Sequence, residues 1–335
     1  MIARMGTWLG RRRKTVWDLP YEPAATADDV FHCFRLLLGR HPHREEWSGH
    51  SAHVGQPLPG VVASYLNSLE CVRRGLLAPT ERPALTVAEL DAFRIWVGTD
   101  DAAVGRHVLA DNYERDVTAV FRRVLRPGMG VVDLGANIGY FSLLSAALVG
   151  PSGSVLAVEP NPANARMLEA SRALNGFGHV TVAQVAAGRD TGLLVLNASH
   201  SNGTTAPAPD DIDRLLAAVT VPAVRLDALV PADRRIDLIK VDVEGAEYNA
   251  LLGGRETIAR CRPAIISEFS PDLMPGISGI NGEGYLGWLV GQGYGLSVIQ
   301  PDGSLLTCGA DRGAVMREYA GRGTDHIDLL ALPAA

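Results

Sequence analysis

The first quarter of the chain has the apolar spacing of helices. In DDVFHCFRLLLGR the apolar side chains recur every three or four residues, as they do on one face of an α-helix. The segment LPGVVASYLNSLECVRRGLL repeats this spacing after a connection that contains Pro and His. We therefore predict a small α-helical domain over residues 23–80, preceded by a basic tail over residues 1–22.

The next stretch also reads as helical. TVAELDAFRIWVG begins with Thr86, and Glu89 follows three residues later, which is the pattern of a helical capping box. A second helical segment, YERDVTAVFRRVL, ends at Pro127 and Gly128. These patterns predict linking helices over residues 81–125.

From residue 126 to residue 335 strands and helices alternate. The predicted strands are GVVDLG, SVLAVEP, VTVAQVA, IDLIKVD and AIISEF, and the predicted helices are Ile138–Val149, Pro162–Leu174 and Ala246–Ile258. Such alternation is typical of an α/β, Rossmann-like, doubly wound sheet with parallel central strands. The closing runs GLSVI, SLLTC and HIDLLAL, with a turn at Pro301-Asp302-Gly303, predict an antiparallel C-terminal hairpin at the sheet edge.

Composition narrows the class of protein. The 335 residues are 47% hydrophobic and 20% charged, which is ordinary for a protein with a well-packed core, and the net charge of −6 argues against nucleic acid as the main partner. The run YFSLLSAALV is too short for a membrane span. No apolar segment follows the basic cluster RRRK, and the four cysteines are scattered. We expect a cytoplasmic protein without a signal peptide, and a homo-oligomer remains open.

The stretch VVDLGANIGYF, residues 131–141, predicts a strand that ends in a ligand-binding turn. Its glycines, Gly135 and Gly139, are four residues apart, unlike the G-x-G-x-x-G pattern of dinucleotide sites. Asp133 would repel a phosphate, and no Gly-Lys-Ser/Thr sequence follows. The ligand should therefore carry positive charge and lack phosphate. S-adenosylmethionine, with its ammonium and sulfonium groups, meets this requirement.

Acidic residues follow four of the predicted strands. Besides Asp133 they are Glu159, Asp242 with Glu244, and Glu268. Ligands of open α/β sheets bind at the carboxyl ends of the strands, so these acids should meet there. Converging carboxylates need hydroxyls, amines, a cation or a metal as partners. Glu159, twenty residues after Gly139, is placed to accept hydrogen bonds from a ribose diol.

Four ordered blocks of the chain resemble a known family. VVDLGANIGYFSLL, VLAVEPNPANARMLEASRALN, IDLIKVDVEGAEYNALLGG and RPAIISEF, between Tyr113 and Phe269, resemble the FkbM family of S-adenosylmethionine-dependent O-methyltransferases. The resemblance implies a class I methyltransferase fold and methyl transfer to a hydroxyl, often on a sugar or a natural product. FRLLLGRHPHREEW and YLNSLE resemble a phycobilisome-linker-like (DUF4214-type) helical domain, often found in bacterial proteins of glycan assembly.

We expect Asp133 and the backbone of the glycine turn to hold the methionine part of the cofactor, and Glu159 to hold its ribose. Gln184 and Ala186, after the third strand, are expected to border the adenine, and Glu114 to reach the amino end. The full set of expected contacts to S-adenosylmethionine, or to its product S-adenosylhomocysteine, is Glu114, Asp133, Gly135, Ala136, Asn137, Gly139, Tyr140, Glu159, Pro160, Asn161, Gln184 and Ala186.

Methyl transfer to an alcohol calls for a general base. Asp242 is our first candidate, Glu268 is the second, and His200 in the polar loop ASHSNGTT is the third. Glu244 and Asn202 are expected to contact the acceptor. No H-x-x-x-H or Asp-x-Asp cluster is present, so we favour a site without metal, with Mg²⁺ on Asp242, Glu268 and His200 as the alternative.

The strand-end acids and the glycan-associated helical segment favour a carbohydrate acceptor, as in polysaccharide biosynthesis. Aromatic residues make up only 6% of the chain, which is few for a stacking pocket. Methylation of a polyketide, macrolide or other natural-product hydroxyl is the alternative enzymatic interpretation. A non-enzymatic binding scaffold is a third interpretation, and the intact cofactor motif argues against it.

Overall fold

The computed structural model describes residues 22–74, 84–199, 202–209 and 211–334. The chain divides into two compact units, Met1–Arg82 and Pro83–Ala335. Predicted features in residues 1–21, including the basic cluster, lie outside the described residues.

The described part of the first unit is helical. Thr26 caps its first helix by accepting from the Asp29 backbone N–H, while the Asp29 carboxylate accepts from the Thr26 backbone N–H, which is a complete capping box. Val30, Phe34 and Tyr65 are buried in its small core. Its helices are α1 (Ala27–His32), a π-helical continuation (Cys33–Leu37), α2 (Trp47–His50), a 3-10 turn (Ser51–His53), α3 (Leu58–Leu66) and α4 (Leu69–Arg73).

The second unit begins with a β-hairpin where a linking helix was predicted. Strands β1 (Leu85–Glu89) and β2 (Arg94–Gly98) pair in antiparallel fashion. Ile95 and Val97 are buried two residues apart, which is the period of a strand, so the helical prediction for this stretch was wrong. The capping pattern of Thr86 and Glu89 lies within a strand. Helices α5 (Gly105–Leu109) and α6 (Arg115–Val124) follow.

Two sheets make up the rest of the unit. The strands in chain order are β3 (Gly130–Leu134), β4 (Ser154–Val158), β5 (Val180–Ala183), β6 (Ala186–Ala187), β7 (Gly192–Ser199), β8 (Asn202–Pro207), β9 (Thr220–Val224), β10 (Leu238–Val241), β11 (Ala264–Phe269), β12 (Tyr294–Ile299), β13 (Leu305–Gly309) and β14 (Ile327–Pro333). The helices are α7 (Tyr140–Val149), α8 (Pro162–Asn175), α9 (Ile212–Ala217), α10 (Leu226–Leu229), α11 (Glu247–Leu252), α12 (Arg255–Cys261), α13 (Met274–Ile277), α14 (Gly282–Gly291) and α15 (Arg312–Arg322).

The eight-stranded sheet has the order β13-β12-β14-β11-β10-β3-β4-β5. The strands from β11 to β5 are parallel, whereas β14 is antiparallel and lies between β11 and β12. This order, with its inserted antiparallel strand, is that of a class I methyltransferase fold, which confirms the predicted fold class. The predicted edge hairpin is β12 with β13. Separate apolar clusters cover the two faces of the sheet.

One predicted helix is divided into two. Where Ala246–Ile258 was expected as a single helix, α11 ends before Gly253 and α12 begins after Gly254. A Cβ on Gly253 would overlap the carbonyl oxygen of Gly188, so the chain approaches its neighbour too closely there for any other residue. This contact lies at the break between the two helices, and the helical spacing does not reveal it.

The four-stranded sheet, with the order β6-β9-β7-β8, is a feature the sequence analysis did not predict. It is formed from the chain between β5 and β10. Its own apolar cluster includes Ala186, Leu196 and Val221. Leu196 and Thr205, on β7 and β8, also line the cavity described below, so this sheet supplies one wall of the candidate site.

The longest helix among the described residues is α8, which has 14 residues. Over these residues, no helix combines the length and the apolar character needed to cross a bilayer.

Candidate active site

A cavity of about 370 Å³ opens at the carboxyl ends of β3, β4, β10 and β11. This is the edge at which open α/β sheets bind their ligands. Most residues predicted to form the site line this cavity. They are Glu114, Asp133, Gly135, Ala136, Asn137, Tyr140, Glu159, Pro160, Asn161, Ala186, Asp242, Glu244 and Glu268.

The other four residues that were predicted to form the site are not among the described lining residues. Gln184 is exposed in the turn after β5 and is not among the described lining residues. Gly139 is also not among the described lining residues, and a Cβ there would overlap the Leu168 side chain. Asn202 is the first residue of β8, and His200 lies outside the described residues.

The glycine turn after β3 is shaped by contacts within the protein. Gly135 has φ +81°, and a Cβ on it would overlap the carbonyl oxygen of Asp242 on the neighbouring strand. Asn137 also has positive φ, +51°. We expected these glycines to let the backbone approach a ligand. The structure shows that Gly135 and Gly139 are required by close packing against Asp242 and Leu168.

Glu159 joins the glycine turn to the end of β4. Its Oε2 accepts a hydrogen bond from the Asn137 backbone N–H at 2.8 Å, and its Oε1 accepts one from the Asn161 backbone N–H at 2.7 Å. The residue is only 5% exposed. Burial raises the pKa of Glu159 to about 7, against the lowering effect of these backbone donors. The Asn164 side chain is a third donor to this carboxylate, and since a carboxylate has about four lone-pair positions, one further donor can be accepted.

Asp133 presents a buried acceptor to the cavity. Its Oδ2 accepts from Ser142 Oγ at 2.6 Å, while its Oδ1 has no hydrogen-bond partner within the residues that the structure describes. The residue is 1% exposed, and burial raises its pKa, although Lys240 and Ser142 act in the opposite direction. A buried carboxylate oxygen without a donor is unfavourable, so this atom is suited to a cationic ligand group.

Lys240 lies at the centre of the acidic residues. Its Nζ is 2.7 Å from Asp242 Oδ2 and 4.8 Å from the centre of the Phe141 ring. Burial alone would lower the pKa of Lys240, but the carboxylates of Asp242, Glu114 and Asp133 raise it above its usual value. The ammonium therefore stays charged.

Asp242 and Glu268 form a pair with opposite pKa shifts. Burial raises the pKa of Glu268 well above its usual range, and the charge of Asp242 adds to the effect. For Asp242 burial acts in the same direction, but Lys240 and a hydrogen bond with Glu268 outweigh it and lower the pKa. Glu268 also accepts from Ser270 Oγ at 2.6 Å. Asp242 is thus the ionised member and Glu268 holds the proton, which makes Asp242 a weak proton acceptor.

Further acids surround this pair. Burial raises the pKa of Glu114 to about 8 and that of Asp328, opposite Glu268 in the β11–β14 pairing, to about 7. Burial also raises the pKa of Glu244. Carboxyl groups thus outnumber Lys240 around the cavity, and the surplus favours a ligand with positive charge. In the described ranges, no three His, Cys, Asp or Glu side chains are arranged to hold a metal ion.

Several lining residues were not predicted from the sequence, among them Tyr113, Lys240 and His326. Lys240 had a signal, because a charged residue in the apolar run IDLIKVD stands on a strand that is buried on both faces. His326 had none. It precedes β14, whose first residue reaches the carboxyl edge of the parallel strands only because β14 runs antiparallel to β11.

Comparisons with known proteins find several methyltransferases to which this chain is similar. The curated relative Methyltransferase 1 of Beauveria bassiana (strain ARSEF 2860) is 30% identical over 143 residues, which cover 37% of this chain and 57% of the relative. The crystal structure of methyltransferase FkbM from Methylobacillus flagellatus KT aligns at 18% identity, with a TM-score of 0.40, over 68% of this chain and 52% of its own. This chain therefore spans little more than half the length of these two proteins.

Two further solved structures are similar at low identity. An S-adenosylmethionine-dependent O-methyltransferase from Thermotoga maritima aligns at 13% identity and a TM-score of 0.38, over 67% of this chain and 66% of its own. The TYW2 protein of M. jannaschii, solved with AdoMet, aligns at 12% identity and a TM-score of 0.39, over 76% of this chain and 87% of its own. A protein-family model described as a methyltransferase FkbM domain matches residues 133–279.

Proposed function

We propose that this protein is an S-adenosylmethionine-dependent O-methyltransferase that methylates a hydroxyl of a sugar or oligosaccharide, as in polysaccharide biosynthesis. The observation that carries the proposal is the position of Glu159 within the FkbM domain. Its buried carboxylate is fixed by the backbone N–H groups of Asn137 and Asn161 and by the Asn164 side chain, and it retains capacity for one further donor. A ribose hydroxyl supplies such a donor.

The other contacts fit the same cofactor. The unpartnered Oδ1 of Asp133 would accept from a cationic group of the methionine moiety, and Ala186 and Leu196 would cover one face of the adenine. S-adenosylmethionine supplies the methyl group on a sulfonium, which leaves as a neutral thioether. The chain's own residues must align the acceptor oxygen with the carbon–sulfur bond and keep water out.

The acceptor side of the cavity is polar. Asp242, Glu244 and Glu268 line it, and carboxylates accept hydrogen bonds from several hydroxyls at once. This lining supports a polyhydroxylated acceptor more than a flat aromatic one. Asp242, kept ionised by Lys240, would orient an acceptor hydroxyl by accepting its hydrogen bond.

Isothermal titration of the full chain with S-adenosylmethionine tests the cofactor. Binding that is lost in Glu159→Gln and kept in Glu169→Gln, a change on the outer face of α8, supports the proposal. Absence of binding by the wild-type protein would favour a scaffold.

Methyl-labelled cofactor with a panel of oligosaccharides and macrolide alcohols tests the acceptor. Label in the oligosaccharides supports the carbohydrate class, whereas label in the macrolides alone contradicts it.

A further inference from the structure

The geometry points to His326 as the general base for this methyl transfer, held in place by Asp325. This inference rests on the proposed O-methyltransferase function. Neither residue belongs to the strand-end motifs. His326 immediately precedes β14 and lines the cavity together with Asp242 and Glu268.

Asp325 orients the histidine ring. The Nδ1 atom of His326 is 2.8 Å from Asp325 Oδ1, and the backbone is held by Thr324, whose Oγ1 donates to the His326 carbonyl at 2.6 Å. A hydrogen bond from Nδ1–H to a carboxylate selects the tautomer in which Nε2 has the free lone pair. The side chain is 46% exposed, so a proton that it accepts can pass to solvent.

The other candidate bases near His326 are poor proton acceptors. Asp242 accepts from Lys240 at 2.7 Å and from Glu268, so its basicity is reduced. Glu268 holds a proton, because burial beside Asp242 raises its pKa. Asp242 can still accept a hydrogen bond, but a carboxylate kept ionised by Lys240 is a poor acceptor of a proton.

Several charged and polar groups face His326. Asp325 contacts the ring directly, Asp242 and Glu244 act on it through space, and the Tyr319 hydroxyl lies 3.5 Å from the Asp325 carbonyl. Lys240 opposes them, but it is paired with Asp242. Three carboxyl groups thus lie near the His326 ring.

The reaction balances without a further reactant. A lone pair of the acceptor oxygen forms the new bond to the methyl carbon, the carbon–sulfur bond breaks, and its electron pair stays on sulfur. The hydroxyl proton moves to Nε2 of His326. The products are the methyl ether, S-adenosylhomocysteine and an imidazolium that then releases its proton to water.

Nitrogen NMR of the full chain with ¹⁵N-labelled histidine rings tests the tautomer without any acceptor. The His326 signals are identified by their loss in His326→Gln. We expect protonated Nδ1 and unprotonated Nε2 at neutral pH, and a shift toward the opposite tautomer in Asp325→Asn. Protonated Nε2 in the wild-type protein, or no response to Asp325→Asn, would overturn the proposal.

Single-turnover methyl transfer to the panel of oligosaccharides and macrolide alcohols tests the role itself. His326→Ala should slow transfer about 100-fold or more, leave the Kd for S-adenosylmethionine unchanged, and recover in part with added imidazole, which a merely structural residue would not do. Transfer at more than half the wild-type rate would rule out His326 as the base. If the wild-type protein methylates no member of the panel, the proposed acceptor classes fail, and the NMR result alone decides on His326.

Discussion

Lys240 Nζ lies 2.7 Å from Asp242 Oδ2, and both side chains are on the same face of one strand end, two residues apart. Lys240 is 5% exposed. Glu114 and Asp133 also act on its charge. A buried cation in this position neutralises part of a cluster of acids that would otherwise repel each other, and so the pair supports both the fold and the site.

Removing this cation should destabilise the protein. Lys240→Met leaves the buried Asp242 carboxylate without its partner, and breaking such a pair costs about 3–5 kcal/mol. Urea unfolding of the full chain near pH 8 measures the loss. The loss should be smaller near pH 5, where Asp242 can take up a proton instead.

Arg115→Met is the matched control, because Arg115 and Asp111 form an exposed ion pair at 3.9 Å. It should change the free energy of unfolding by less than about 1 kcal/mol. Equal losses in the two variants would contradict the role given to Lys240.

Cofactor binding should strengthen as the pH rises through about 7. A ribose hydroxyl donates to the ionised form of Glu159, whose pKa burial raises to about 7. The Kd for S-adenosylmethionine should therefore be about tenfold higher near pH 6 than near pH 8, since about a tenth of the carboxyl is ionised at the lower pH.

Glu159→Gln isolates this contribution from the other acids of the cavity. The variant should bind more weakly near pH 8 and with a flatter pH dependence, because its amide NH₂ would face the backbone N–H of Asn137 or Asn161. Isothermal titration across this pH range measures the Kd for S-adenosylmethionine. If the Kd of the variant changes with pH as steeply as that of the wild-type protein, the pH dependence belongs to another group.

Much of the central sheet could be predicted from the sequence. Parallel strands buried on both faces read as continuous apolar runs, as with Val131, Val132 and Leu134 of β3. The topology then brings the acids after these strands to one edge, so Asp133, Glu159 and Asp242 could be assigned to one cavity before their contacts were known.

The remainder depends on contacts between distant parts of the chain. The Thr86–Glu89 pattern suits either a helix cap or a strand, and burial of Ile95 and Val97 decides between them. His326 joins the site only because β14 is inserted in antiparallel orientation between β11 and β12. The opposite pKa shifts of Asp242 and Glu268 likewise require their contact, which the spacing does not show.

Gly135 should tolerate no side chain. Gly135→Ala would combine a positive φ with an overlap against the carbonyl oxygen of Asp242, the residue after β10, and we expect a loss of more than about 3 kcal/mol in unfolding free energy. Gly176→Ala is the control, since Gly176 has φ +67° at the end of α8 and open space around it. That change should cost about 1–2 kcal/mol, and urea unfolding compares them. Similar losses would show that the close approach to β10 is unimportant.

The buried Glu247 should make stability depend on pH. Its Oε1 accepts from the backbone N–H groups of Val243 and Gly245, each at 3.0 Å, and its Oε2 has no partner among the described residues. Burial raises the pKa of Glu247 to about 7 from an ordinary value of 4.5. The folded state therefore favours the neutral acid. The stability that Glu247 contributes in its neutral form is fully present below about pH 4.5 and is lost as the pH rises through about 7.

Glu247→Gln keeps the oxygen that accepts from Val243 and Gly245 and removes the ionisation. Relative to the wild-type protein, the variant should gain stability as the pH rises from about 5 to about 8, by up to about 3 kcal/mol. Glu89→Gln, an exposed change on β1, should show no such gain. Thermal unfolding of the three proteins across this range measures the difference. If the difference in unfolding free energy between Glu247→Gln and the wild-type protein stays constant across this range, Glu247 does not titrate in the folded state. The loop after β10 would then be held by an ionised carboxylate.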